Sequence, residues 1–206
     1  MKIKFTDNLN AMNQKILRAF ASDIKIDFDK GIRTIQNTLP GLVRKIILSS
    51  PEYYSLVGGE LKFELGIPDA PEKINAMIFA WTSDIKYKIS PPSVVRDRIV
   101  GGFSAELIKA DFSDILGADY TQVYDRYRGY SLPWFQWLVL EGRTQVVPDH
   151  QVSYVKTQRS RTGRAIMVPG AGWGLTNYAG TKENNWITRA IAAGNVEITT
   201  LLERAF

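Results

Sequence analysis

The sequence predicts an α+β fold, with N-terminal helices, a central mainly antiparallel sheet carrying a short inserted helix, and C-terminal helices. Three observations predict it. Apolar residues recur at helical spacing through residues 7–66. Strand-like alternation begins near residue 85 and yields only briefly to an aromatic segment at 131–142. Helical spacing returns from residue 184. Helices and strands thus occupy separate stretches, which favours α+β over a parallel βαβ sheet.

In chain order, Thr6 or Asp7 can cap a helix bearing Leu9, Met12, Ile16, Leu17 and Phe20. A second helix is expected from Asp23, with Ile24, Phe28, Ile32 and Ile35, interrupted or kinked at Pro40-Gly41. Leu42, Val43, Ile46, Ile47 and Leu48 resume its apolar face. Ser49-Ser50-Pro51-Glu52 reads as a helix start: a serine cap, proline in the first turn, then an acid near the positive end. Gly58-Gly59 breaks that helix, and Glu60–Leu65 adds another turn or two before Gly66 and Pro68. Residues 67–83 are ambiguous.

Beyond them, 85–89 and 100–109 alternate as strands, with Pro91-Pro92 expected to separate the two. Residues 111–116 read as a connector and 123–130 as strand or loop. The segment 131–142 is expected to be a short helix with Ser131 as cap and Pro133 in its first turn. Residues 144–147, 151–155 and 165–168 read as short strands, with a turn at Pro148-Asp149. Asn184 or Asn185 caps a helix reaching about Ala193, and Gly194-Asn195 divides it from a last helix at 196–205. Residues 1–206 are expected to form one domain, with a helical part at 1–68 and a mixed part at 69–206.

With 45% hydrophobic and 23% charged residues, the chain has enough apolar material to fold without disulfides or metal. It contains no cysteine, which rules out thiolate metal sites and disulfides. The net charge of +5 is a mild excess rather than that of a dedicated nucleic-acid clamp. No leader segment is expected at the start, and the longest apolar run, 76–81, is far below the ~20 residues of a membrane span.

His150 is the single histidine, so any triad or histidine metal site would need it. Its neighbour Asp149 would point to the opposite face of a strand, and a turn or surface role is the better reading. Glu60 and Glu64, like Asp23 and Asp27, sit four apart without a histidine partner and read as solvated helix faces. Gly170-Ala-Gly-Trp-Gly174 lacks the lysine of a phosphate loop and reads as a turn that lets Trp173 stand out. No catalytic, cofactor or metal residue is assigned, and the chain is expected not to be an enzyme.

The informative stretch is 131–187, which holds Trp134, Trp137, Trp173 and Trp186 together with the basic run Lys156–Arg164. Arginine and tryptophan are enriched at interface hot spots. Arg159, Arg161, Arg164 and Trp173 are therefore the candidate assembly interface. Lys156, Arg159, Arg161 and Arg164 are also weak candidates for phosphate contact. Trp134 and Trp137 would share a helix face as core, while Phe135 looks elsewhere and leaves some aromatic surface exposed.

Two groups of motifs resemble a known family. Ser50-Pro-Glu-Tyr-Tyr-Ser-Leu-Val-Gly-Gly-Glu-Leu-Lys-Phe-Glu-Leu-Gly-Ile-Pro68 resembles an N-terminal signature of tailed-bacteriophage structural proteins. Leu132-Pro-Trp-Phe-Gln-Trp-Leu138, Ser160-Arg-Thr-Gly-Arg-Ala-Ile-Met167 and Trp186-Ile-Thr-Arg-Ala190 resemble later parts of the same proteins. These are virion components of the neck, head–tail connector and tail-completion group. The resemblance covers about half the chain and implies no catalytic residue. It implies a homo-oligomeric ring in the virion, assembled in the host cytoplasm. Its neighbours would be portal, neck or tail proteins, with at most non-specific contact to genomic DNA and none to membrane. Nucleic-acid binding through 156–164 is the alternative.

Overall fold

A computed structural model describes residues 8–107, 112–126, 129–141, 144, 146–174, 178 and 180–206, apart from the side chain of Asp114. It is α+β, and every strand pair described is antiparallel. The chain divides into two compact units. The first comprises Met1–Pro40, Ile85–Leu107 and Glu197–Phe206, and the second Gly41–Asp84 and Ile108–Val196.

Helix α1 (Leu9–Leu48) contributes its first four-fifths to the first unit. Asn8 starts it, its side-chain oxygen accepting the Ala11 N–H at 2.7 Å. The expected caps Thr6 and Asp7 lie outside the described residues. The expected break near residue 23 does not occur, and Pro40 sits inside one continuous 40-residue helix. An interior proline costs about 3 kcal/mol. Ile32, Ile35, Leu39, Val43 and Ile47 are all buried along this helix, each contributing about 1.5–3 kcal/mol, and together they outweigh that cost.

Strands β1 (Lys86–Val95) and β2 (Arg98–Glu106) form a hairpin around the two-residue loop Arg96-Asp97, with Arg96 at φ 58°. The Gln14 side-chain amide donates to the Arg96 carbonyl. Pro91-Pro92 does not separate two strands, as the sequence predicted. It forms a bulge within β1, where the register passes from Ser90↔Gly102 to Ser93↔Val100. The two prolines cannot donate to a ladder, and Gly101 alone faces them. A Cβ at Gly101 would lie 2.9 Å from the Pro92 backbone, so this crossing requires glycine.

The first unit is closed by the end of helix α8 (Asn195–Ala205). The Phe206 ring packs 5.7 Å from Phe28 and 5.6 Å from Phe103. Gly31 makes room for it. A Cβ there would stand 2.5 Å from the Ala205 carbonyl oxygen and 2.7 Å from the Phe206 ring.

The second unit begins with the end of α1 and continues through α2 (Pro51–Val57), α3 (Glu60–Glu64) and α4 (Ala70–Ser83). The ambiguous 67–83 stretch is thus largely helix. Ile74, Met77, Ile78 and Trp81 are buried along one face of α4. Then come α5 (Ser113–Leu116) and a 3-10 turn at Asp119–Thr121. The hairpin of β3 (Val123–Asp125) and β4 (Tyr130–Leu132) leads into α6 (Trp134–Val139). Strands β5 (His150–Ser153) and β6 (Ile166–Pro169) pair next, and α7 (Trp186–Ala193) follows.

Among the described residues the expected central sheet is three two-stranded ladders. Ser131 belongs to β4 and does not cap α6, whose N-cap is Pro133. Trp134, Phe135, Leu138 and Val139 of α6 are buried, and Phe135 meets Phe112 and Trp134 edge-on. Phe135 is therefore core rather than exposed aromatic surface. A six-residue helix enclosed on several sides buries more than one face.

Candidate functional site

The basic segment after β5 is fastened to α3. The Tyr154 hydroxyl donates toward Glu64 at 3.2 Å, with Glu60 at 3.5 Å. Burial of the Glu64 carboxyl raises its pKa above 4.5; the Tyr154 bond opposes that rise and the nearby Glu60 charge adds to it. Burial and the same two carboxylates push the Tyr154 phenol well above its ordinary value. Glu60 is exposed, as expected of a solvated helix face, whereas Glu64 is half-buried and bonded by Tyr154, ninety residues away in sequence.

Two of the three predicted arginines are engaged within the chain. Arg161 Nη1 pairs with Asp125 Oδ2 at 3.2 Å. Its guanidinium also runs over Gly66, which sits at φ 63° and where a Cβ would stand 2.7 Å from Arg161 Nη2. Arg164 places its guanidinium carbon 5.5 Å from the Phe63 ring centroid. Ser160 Oγ accepts from the Thr162 and Ala165 N–H groups, so this serine shapes the loop. All four cations, Lys156, Arg159, Arg161 and Arg164, remain exposed.

Trp173 does not stand out of its glycine-rich loop, as the sequence predicted. It keeps 7% of its surface. Its backbone bridges Val147, donating to the Val147 carbonyl at 2.8 Å and accepting from Val146 and Val147. Its ring meets half-buried Trp137 edge-on at 6.2 Å. That bridge is all that forms of the strand expected at 144–147, residue 145 lying outside the described residues. His150 Nδ1 lies 3.2 Å from the Pro148 carbonyl at the turn before β5. Among the described residues no group of three or more acids or histidines is arranged to hold a metal ion.

The stretches at 50–68 and 186–190 meet in the second unit. Ser50 caps α2 and is buried. Its hydroxyl oxygen accepts from Trp186 Nε1 at 2.7 Å and from the Tyr53 N–H at 3.3 Å, and donates to the Ile47 carbonyl. Two residues on, buried Glu52 pairs with Arg189 at 2.9 Å. Arg189 also reaches the Asn184 side chain and the Tyr178 carbonyl. Asn185 and Thr188 close a capping box at the start of α7. Sequence reading expected a serine cap at Ser49-Ser50 and a cap at Asn184 or Asn185, and the structure selects Ser50 and Asn185. Sequence reading missed the Ser50–Trp186 and Glu52–Arg189 pairs, because no local spacing signals a partner about 136 residues away.

Among the described residues, two exposed surfaces combine apolar side chains with charge. On α1, Leu9, Ile16, Phe20 and Ile24 are exposed, Leu9 by 77% and Phe20 by 57%. At 100° per residue they share an arc of about 100° with Asp23 and Asp27. The buried Ala21, Ile32, Ile35 and Leu39 occupy a separate arc. In the second unit, Gly41, Arg44, Lys45, Leu48, Ser49 and Tyr54 line an open depression of about 350 Å³. The Arg44 guanidinium lies 4.4 Å from the ring centroid of Phe79 and 3.4 Å from Thr82 Oγ1. Its Nε is buried without a partner among the described residues. No described helix is long and apolar enough to cross a membrane. Comparison of the chain with protein-family models, with curated proteins and with solved structures finds no match.

Proposed function

We propose that this chain is a non-enzymatic structural protein of a tailed-phage virion. It forms an oligomeric ring at the head–tail junction as a neck, connector or tail-completion subunit. The motif resemblance supplies the class. The observation that carries the assembly role is α1, which turns four large apolar side chains to solvent over more than four helical turns. Single exposed apolar residues are ordinary on a protein surface, but an aligned row on one helix face calls for a partner.

The ring would join portal or neck proteins to tail proteins in the virion, after assembly in the host cytoplasm. Genomic DNA passing through it would meet only phosphate-directed, salt-sensitive contacts. Binding of nucleic acid as the main function has less support. Among the described residues, Arg161 and Arg164 hold intramolecular partners while staying exposed, and Lys156 and Arg159 are the cations of the run without one.

Native mass spectrometry and light scattering on the purified chain test the proposal. A closed symmetric oligomer, with DNA affinity that vanishes at moderate salt, is the expected result. A monomer that binds DNA tightly at physiological salt overturns it and puts the nucleic-acid reading in its place.

A further inference from the structure

Resting on the ring reading, we infer which two surfaces of neighbouring copies meet. The Phe20–Asp27 part of α1 in one subunit docks into the Gly41–Leu48 depression of the next. The occupant is a second copy of this chain, in a heterologous, head-to-tail contact.

Charge and size carry the argument. The donor face presents Phe20 and Ile24 flanked by exposed Asp23 and Asp27. The acceptor presents Leu48, Tyr54 and Phe79 beside Arg44 and Lys45. Each surface is apolar with charges of one sign, and the two signs are opposite. Residues 20–27 and 41–48 each span two helical turns, about 10 Å. Asp27 holds Lys30 at 3.4 Å, but that pair is exposed and worth at most about 1 kcal/mol, so it yields to a better partner.

Like surfaces do not pair as well. An antiparallel pair of donor faces would set Asp27 against Phe20 and Asp23 against Ile24, burying acids without cations. A pair of acceptor faces would bring two Arg44–Lys45 clusters together. The contact that satisfies both surfaces is heterologous, and such contacts close into rings when the rotation permits.

Gly41 is the independent observation. Glycine inside a helix costs up to about 1 kcal/mol relative to alanine. Among the described residues outside its own helical turn, nothing calls for it. A Cβ there would meet no atom within 4 Å, and it lines the depression. A bare backbone at that point lets another helix approach closely.

Two variants test the contact. Asp23→Lys with Asp27→Lys disables the donor, and Gly41→Leu adds bulk to the acceptor at a point where a Cβ meets no described atom outside its own helical turn. Each should remain folded by circular dichroism and, alone, lose every species above the monomer. Mixed, they should form a one-to-one heterodimer and nothing larger, since one intact donor then meets one intact acceptor. Variants that assemble like wild type overturn this contact while leaving the ring standing on another surface. The same holds if the mixture stays monomeric while wild type forms rings. A wild-type chain that stays monomeric to its solubility limit overturns the contact and spontaneous ring formation together.

Discussion

The two units handle their apolar residues differently. The second buries Trp81, Trp134, Phe135, Trp173 and Trp186, and ties its segments with Ser50–Trp186 and Glu52–Arg189. The first leaves Leu9, Ile16, Phe20, Ile24 and Ile26 of α1 exposed, together with Ile89, Val95 and Val100 of its hairpin. Scattered exposed apolar residues are ordinary, but the aligned row on α1 is more than stability alone calls for. The second unit pairs a tryptophan-rich core with exposed aromatics such as Tyr54 and Phe79, whereas the first turns an aligned aliphatic row of α1 to solvent, so each keeps surface available for a partner.

The largest expected effect lies in the second unit. Trp134 is fully buried and donates its indole N–H to the Tyr120 carbonyl at 3.2 Å. Trp134→Ala should cost about 3–5 kcal/mol, seen as insoluble protein or a Tm lowered by about 10 °C. Half-buried Trp137, edge-on to Trp173, should lose about half as much on truncation. An unchanged Tm for both variants would break the description of this core.

A substitution at Gly31 sharpens the comparison from the other side. Gly31→Ala gains up to about 1 kcal/mol of helix propensity but drives a methyl into the Ala205 carbonyl and Phe206. Overpacking costs about 1–3 kcal/mol, so a net loss of about 1 kcal/mol is expected. Hydrogen exchange should show it as faster exchange confined to the end of α8. A rise in Tm with unchanged exchange would mean that Phe206 does not hold this position.

Glu64 offers a pH readout confined to the second unit. Its pKa in the folded chain is raised, so above 4.5 the native state holds the proton more tightly than the unfolded one. Its contribution to stability is therefore greatest at acid pH and declines as pH rises through that window. Glu64→Gln should flatten this slope, with Tm against pH as the measurement. A wild-type Tm that climbs over that range with no difference from the variant would contradict it.

The smallest effect is expected where the exposed face is. Ile16→Ser and Phe20→Ser should each move stability by no more than about 0.5 kcal/mol in the monomer. A loss above 2 kcal/mol in the isolated chain would show that α1 covers this face itself, and the contrast between the units would collapse.

Much of the local architecture was legible in the sequence. The Ser50 cap, the Asn185 cap and the division at Gly194-Asn195 rest on short-range chemistry and stand in the structure. The apolar spacing of α1 was equally readable, but not which of its faces would be covered. Leu9, Ile16 and Phe20 fit a helical period as well as Ile32 and Ile35 do. Trp173 was misread because a glycine-rich loop looks exposed until Val147 and Trp137 are known to lie against it.

By itself the sequence determined the class, α+β, and the antiparallel sense of its hairpins, since helical periods, alternation and turns depend on neighbours a few residues apart. It also determined the absence of thiol chemistry, by containing no cysteine. Only the tertiary structure decided that Pro40 stays inside a helix, because distant burial outweighs a local cost. Only there does Pro91-Pro92 become a bulge, because Gly101 admits the approach. The partners of Arg161, Arg164 and Glu64 likewise depend on contacts far apart in the chain, which no local rule ranks.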